Sequence, residues 1–361
     1  SSLWVLGSSP FASLFDRQNV GPIGDRIVLG PPARHEFNEV ADRAVPVLNL
    51  ATSGYLGLGS DPRVKRAVSA AVERFGTHTG GCRLLSGTAR IHFELEERLA
   101  TFFRAPSVVT YSSGYATNLS VVSALFGPGD LIILDRNAHR SVYDGALLSR
   151  AAIKRFAHND LDHLERILRS TTSIRRRLVA VDAVYSMEGH IAPLPDLIDL
   201  THRHGAFLLV DEAHALGVLG DTGRGATEHF GLDPELIDIR IGTLSKALAA
   251  AGGFAAVHPS VSALLRYTSH GRVFSAAMTP PDAAAALAAL EILEQEPHHV
   301  ARLRSNAAHL RAALVHRGLD VMGSQTAIVP VWVGDRVATL NAGLRLLTRG
   351  FFLNPVVAPG V

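Results

Sequence analysis

A single cysteine, Cys82, occurs in 361 residues, so no intrachain disulfide framework holds the chain together, and a lone thiol fits a reducing cytosol. No uninterrupted apolar run reaches the roughly 18 residues that a bilayer span needs. The stretch from Ser1 to Phe15 is mildly apolar but has no basic start, so export by a signal peptide is not expected. Excess charge is also missing: the net value is +2 with histidines neutral, and the lysines and arginines are scattered. The one short basic cluster, Arg175-Arg176-Arg177, precedes an apolar run and reads as a solvated turn. Nucleic acid and membrane are therefore not expected partners, and a cytoplasmic protein is. A G-x-G-x-x-G turn after a first strand is absent too, which argues against a nicotinamide-dependent dehydrogenase.

What is present is a globular balance, with 47% hydrophobic and 19% charged residues. The length exceeds one average domain, so a large domain with a smaller companion is expected. Residues 1–45 mix Gly, Pro and charge without periodicity and read as an N-terminal arm. Regular structure starts at Asp61-Pro62, an N-cap followed by proline at the first helical position; Val64, Val68, Ala71, Val72 and Phe75 then share a face, and Gly76 supplies a stop. Further on, helical stretches alternate with short apolar runs, the pattern of crossover units that build a parallel sheet covered on both faces. The clearest buried strands are Leu131–Leu134, Leu178–Val181 and Phe207–Val210, and each ends in an acid: Asp135, Asp182 and Asp211. Open α/β sheets bind ligands beyond the carboxyl ends of their strands. Ala283–Leu293 and Val300–Leu314 read as two helices broken at Pro297, and the runs Ile328–Val333 and Phe351–Val357 as strands of a second domain. The expected division is an arm over 1–45, a large domain over 46–280 and a small C-terminal domain over 281–361.

Four segments bear chemistry. In Gly242-Thr243-Leu244-Ser245-Lys246-Ala247 a lysine is flanked by small and apolar residues; desolvation would lower its pKa toward that of an amine nucleophile able to form a Schiff base. Alone, the same pattern suits a lysine whose stem lies on apolar surface at an element end. Asp211-Glu212-Ala213-His214 follows a buried strand directly, so Asp211 can be held rigidly against a protonated pyridine nitrogen, with His214 in reach of the phenolic oxygen of the same ring. Ser112-Ser113-Gly114-Tyr115 opens a helix, and free amides there suit a phosphate. His139, in the loop after another strand, can stack on a flat ring and donate to a substrate carbonyl.

The run Gly80-Gly81-Cys82-Arg83-Leu84-Leu85-Ser86-Gly87-Thr88 with His92 and Glu94-Leu95-Glu96 is similar to a stretch of the α-oxoamine synthases. Ser113-Gly114-Tyr115, His139, Ser186-Met187-Glu188-Gly189, Asp211-Glu212-Ala213-His214 and Thr243-Leu244-Ser245-Lys246 follow in that family's order, over roughly residues 45–290. The resemblance implies an α/β fold of the fold-type I transferases: a mostly parallel central sheet with helices on both faces, plus a smaller C-terminal α+β domain. It implies pyridoxal 5'-phosphate as cofactor, linked covalently to Lys246. Asp211 is then implied to pair with the pyridine nitrogen, His139 to stack over the ring, and His214 and Ser186 to contact the phenolic side. Ser113, Gly114, Tyr115 and Thr243 are implied on the phosphate side, with Ser275 reaching the partner subunit's phosphate, and Ser53 and Arg83 are implied in substrate binding. No metal is implied. The reaction implied is condensation of an amino acid with an acyl thioester of coenzyme A or an acyl carrier protein, releasing CO2 and an α-amino ketone, in a homodimer with interface active sites. Ser53 stands where many relatives have asparagine, and Phe274-Ser275-Ala276-Ala277 where they are richer in hydroxyls. An aminotransferase or lyase of the same fold and a non-catalytic partner subunit are the rival readings, and the retained Lys246 speaks against the second.

Overall fold

Residue 14 and residues 17–32 and 45–357 are described in a computed structural model. The part of the expected arm that falls within them is not irregular. Strands β1 (Arg17–Asn19), β2 (Arg26–Pro32) and β3 (Val45–Asn49) form an antiparallel ribbon, with Phe351–Phe352 pairing parallel to β3 at Leu48 and Asn49. Ile27, Leu29 and Val47 are buried on one side of it.

The expected central sheet is present with seven strands. In chain order they are β4 (Val108–Tyr111), β5 (Leu131–Asp135), β6 (Ala152–Phe156), β7 (Arg177–Asp182), β8 (Phe207–Asp211), β9 (Ile239–Thr243) and β10 (Gly253–Val257), and in space β4-β10-β9-β8-β7-β5-β6. All pairings are parallel except the two made by β10. Alternate residues of one strand feed opposite cores: Ile133, Val179 and Val210 lie in one cluster, Ile132, Leu178 and Leu209 in the other. Burial on both faces is why these strands read as continuous apolar runs.

The helix α1 (Pro62–Phe75) begins as expected, with Asp61 accepting from Arg63 N–H at 2.8 Å, and ends at Gly76, whose φ of 77° suits glycine. Val64 and Ala71 are buried, but Val72 is 37% exposed and not on the packed face. Next comes α2 (Arg90–Phe103). The alanine-rich helix Pro280–Gln295 packs on both, placing Ala283, Ala286, Ala289, Leu290 and Leu293 in one core with Leu95, Leu99 and Phe102. Small side chains allow that close approach, so residues at the expected start of a second domain share the core of the first.

The run Ile328–Val333 is not a strand. Trp332 N–H donates to the Asp320 carbonyl at 2.9 Å and no ladder forms, leaving Trp332 60% exposed; of Phe351–Val357 only the first two residues are paired. A β-strand needs a neighbour for its ladder, which an apolar run does not itself supply. In the glycine-rich run, Cys82 is half-buried and bridges to Ala276, and a Cβ at Gly87 would collide with the Gly81 carbonyl oxygen.

Candidate active site

Two of the three strand-end acids meet. The register of β7 on β8 sets Asp182 beside Asp211, and both are buried. Asp211 Oδ1 accepts from Ala213 N–H at 2.9 Å and Oδ2 from the Asn118 side chain at 2.7 Å. Asn118 projects from α3 (Gly114–Leu125) and also donates to Ser141 Oγ at 2.9 Å, while its own Oδ1 is buried without a protein partner. Asp182 accepts the His139 N–H at 3.1 Å. Burial, then the charge of Asp211, pushes the Asp182 carboxyl well above the usual carboxylate range, which disfavours a second negative charge beside Asp211. The third acid, Asp135, turns elsewhere: it accepts from Asn137 N–H, Asn159 N–H and His158.

Lys246 sits on the hairpin between β9 and β10. Leu244 N–H donates to Gly252 O at 2.9 Å and Ala250 N–H to Leu244 O at 3.0 Å, and Ala249 adopts φ 53°, a left-handed conformation uncommon for alanine. The lysine is half-buried; its carbonyl accepts Ala249 N–H at 3.2 Å, and its amine makes no hydrogen bond or ion pair among the described residues. Burial lowers its pKa, against the pull of Asp211 and Asp182. A partly desolvated amine facing an acid pair is what a nucleophilic lysine requires.

The same hairpin closes the phosphate-side cluster. A Cβ at Gly253 would lie 2.6 Å from Gly114 Cα, and one at Gly114 would lie 2.9 Å from Thr243 Cβ and Oγ1. Backbone therefore touches backbone where α3 begins. Ser113 caps that helix by accepting Ala116 N–H at 3.0 Å, and Thr243 Oγ1 bonds Gly252 O at 3.1 Å and Ser245 Oγ at 2.8 Å. The first-turn N–H groups of Gly114 and Tyr115 have no acceptor within the helix and are free for an anion. The Tyr115 ring itself is 47% exposed, its hydroxyl donating to Asp144.

His214 lies against Tyr55, with Nδ1 2.6 Å from the hydroxyl. Burial, then Lys246 and His139, lowers its pKa to about 3, and burial pushes the Tyr55 hydroxyl up. Both are neutral, and one hydrogen bond joins them, its direction set by the histidine tautomer. His139 caps α4 (Arg140–Ser149), with Nδ1 2.6 Å from Ser141 Oγ and its ring exposed. Ser186 is half-buried in the turn after β7. Three residues are not brought to this group. Ser53 is exposed, Ser275 reaches only the neighbouring Ala276 carbonyl at 3.5 Å, and Arg83 is buried in an ion pair with Glu96 at 3.1 Å and a hydrogen bond to Thr110 at 2.7 Å. Sequence reasoning passed over Asn118, Tyr55 and the pairing of Asp182 with Asp211. The partners of Asn118 and Tyr55 are 93 and 159 residues away, so nothing local in the sequence signals either one.

The family model for aminotransferases of class I and II matches residues 45–361. An 8-amino-7-oxononanoate synthase of Symbiobacterium thermophilum is 42% identical over 316 residues, 87% of this chain and 80% of that one. Another, from Geobacter sulfurreducens, is 43% identical over 317 residues, covering 87% and 81%. A solved serine palmitoyltransferase of Sphingomonas wittichii superposes with a TM-score of 0.89 at 31% identity, over 100% of this chain and 87% of that one. One from S. paucimobilis, with pyridoxal phosphate and myriocin bound, superposes at 0.87 and 32%, covering 98% and 88%. The chain belongs to the α-oxoamine synthases. As an α-oxoamine synthase it has the fold-type I architecture, depends on pyridoxal phosphate and joins an amino acid to an acyl thioester with loss of CO2. The residues fit that cofactor: an unpartnered amine, a buried acid pair, an orphaned Asn118 oxygen and a backbone cradle at Gly114 that a Cβ would fill. Among the described residues no helix is long and apolar enough to cross a membrane.

Proposed function

We propose that the chain acts as its relatives named 8-amino-7-oxononanoate synthase do, on alanine and a pimeloyl thioester, at a site built on Lys246. The observation that carries the reading is the free, partly desolvated lysine amine opposite the Asp182–Asp211 pair. Pyridoxal phosphate, when bound, supplies an aldehyde for that amine and a ring that spreads negative charge from the substrate α-carbon. Lys246 anchors the group and then moves the α-proton. Asp211, fixed by Asn118 and Ala213, would pair with the ring nitrogen, and the buried Asp182 beside it disfavours a second negative charge there. His214 offers Nε2 to the phenolic oxygen, with Ser186 on the same side. Ser113, Gly114, Tyr115 and Thr243 hold the phosphate, and His139, whose ring is exposed, polarises the thioester carbonyl. Arg83 in this reading fixes the glycine-rich run through Glu96 rather than binding substrate. The chain works as a cytoplasmic homodimer: Ser275 beside Phe274, which is 80% exposed, is the stretch offered to the partner. The preference for alanine rests on 42–43% identity to those synthases against 31–32% to the palmitoyltransferases.

The test is a panel of alanine, glycine and serine against pimeloyl and palmitoyl thioesters, scored by CO2 release. Turnover only with alanine and the pimeloyl donor is expected. Amino-group transfer without CO2 release would refute the reading in favour of an aminotransferase. Lys246→Ala is expected to purify without the yellow colour of the lysine-linked cofactor, and a yellow variant would remove the central assignment.

A further inference from the structure

Beside the site, and unused by it, Asp135, His158 and His190 form a chain of side-chain contacts that ends on a backbone carbonyl. His158 Nδ1 lies 3.1 Å from Asp135 Oδ1, His158 Nε2 lies 3.0 Å from His190 Nδ1, and His190 Nε2 lies 2.6 Å from the Met322 carbonyl oxygen. The two ring planes are nearly parallel, at 15°, with centroids 5.2 Å apart. With nitrogens 3.0 Å apart that is an end-to-end hydrogen bond, not a face-to-face stack.

Counting hydrogens along the chain gives a result that neutral rings cannot satisfy. Burial alone would raise the Asp135 carboxyl, but hydrogen bonds from His158, Asn159 N–H and Asn137 N–H bring it below its ordinary range. It is therefore a carboxylate and only accepts, so His158 Nδ1 donates. The Met322 carbonyl also only accepts, so His190 Nε2 donates. A neutral imidazole has one N–H, and both are now committed. The 3.0 Å contact between the inner nitrogens still needs a hydrogen; without one, two lone pairs face each other. We infer that His158 and His190 share one extra proton and, through it, are positioning residues that clasp the 185–190 turn to the segment around Met322.

The surroundings favour that positive charge. The charged or titratable groups around the pair are Asp135, Asp182, Glu188, Asp320, His163 and the Tyr185 hydroxyl. Asp182 and Glu188 act on Tyr185, Asp320 accepts Met322 N–H at 2.7 Å, and His163 accepts Ala157 N–H at 3.1 Å. The Tyr185 ring stands edge-on to His158 at 4.3 Å; its hydroxyl, pushed up by burial, lies beside Asp135 without meeting hydrogen-bond geometry. Among the described residues no lysine or arginine bonds either ring; Arg311, on the clasp segment, donates to the Thr326 carbonyl at 2.9 Å. The clasp has other stitches: Gln325 N–H and Thr326 Oγ1 both donate to the Gly189 carbonyl at 3.1 Å, and Ile191 N–H donates to Gln325 Oε1 at 3.1 Å. The same turn carries Ser186 and holds Asn137 through Glu188 at 2.9 Å, so the shared proton braces both loops that face Lys246. That last consequence rests on the proposed role of Ser186; the shared proton does not.

The test is 15N NMR of the histidine-labelled holoenzyme near neutral pH, with His190→Phe used to assign the signals. Protonated His158 Nδ1 and His190 Nε2 with a third hydrogen between the inner nitrogens is the expected signature, and two neutral rings with one N–H each would overturn the inference. For positioning, hydrogen exchange at the Gly189, Ile191 and Gln325 amides is read as the pH is raised, corrected for base catalysis. Protection should fall roughly tenfold as the shared proton leaves, the scale of losing one such bond. In His190→Phe it should be low at every pH. Wild-type protection that does not change with pH would reduce the clasp to ordinary packing. Absence of condensation activity in the wild-type holoenzyme, with its NMR signature intact, would count against the role of Ser186 and leave the clasp standing.

Discussion

Replacing Gly114 by alanine puts one methyl group where α3, β9 and β10 converge. The new carbon would sit 2.9 Å from both Cβ and Oγ1 of Thr243, inside the distance at which carbon contacts turn repulsive. Neither side can retreat. Thr243 is pinned by Gly252 O and Ser245, and on the far side of the helix a Cβ at Gly145 would already lie 2.9 Å from the Asn118 carbonyl and 3.2 Å from Leu119 Cα. Overpacking without room to relax costs about 1–3 kcal/mol, and the upper half of that range applies because two backbones meet here. Thermal melts of the apoprotein should therefore drop by several degrees. A second effect separates crowding from simple destabilisation. Saturating cofactor at about 100 times its dissociation constant adds roughly 2.7 kcal/mol to the folded state. Moving the helix N-terminus off the phosphate should weaken binding at least tenfold, which removes about 1.4 kcal/mol of that gain. The assay is a pair of melts, with and without pyridoxal phosphate. A variant that melts like the wild type, or that loses stability equally in both melts, would refute the claim that this contact shapes the phosphate cradle.

Two further predictions concern protons. Burial holds the His214 pKa at about 3 against 6.5 in the unfolded chain, so between those values the unfolded state takes up a proton that the folded state refuses, and stability falls as pH drops through that window. His214→Gln should flatten part of that slope in acid unfolding titrations, and an unchanged slope would place the histidine in water. The Asp182 carboxyl is raised by burial and by Asp211, so its contribution runs the other way: fully present below pH 3.8 and lost as pH climbs through the folded value. Asp182→Asn mimics the protonated acid and keeps the acceptor for His139 N–H; denaturant titrations should show it gaining on the wild type as pH rises, and a variant that falls further behind would mean that Asp182 works as an anion.

Three strands of the sheet, β5, β7 and β8, were legible because strands buried on both faces cannot hide an apolar run, and their ends were read to within a residue. Lys246 and Asp211 were legible as residues but not as a pair, since their meeting depends on β8 and β9 lying side by side. Three acids looked equivalent in one dimension; only the strand order, which puts β7 between β5 and β8, sends Asp135 to His158 and Asp182 to Asp211. The ribbon of Arg17–Pro32 escaped notice because its pairing partner is β3 and its sequence is broken by glycine and proline. Ile328–Val333 misled for the opposite reason, being apolar enough for a strand yet lacking a neighbour. Arg83 drew attention through its place in a quoted run, while the Glu96 that engages it lies a helix away.

The reversal of β10 has a mechanical consequence. A lysine on a loop between a strand and a helix would inherit the sway of that helix, whereas Lys246 rides a bend whose two legs are both woven into the middle of the sheet. Whatever the C-terminal segment does as substrates come and go, the amine stays on a fixed anvil, and any opening or closing has to be carried out by the pieces that move around it.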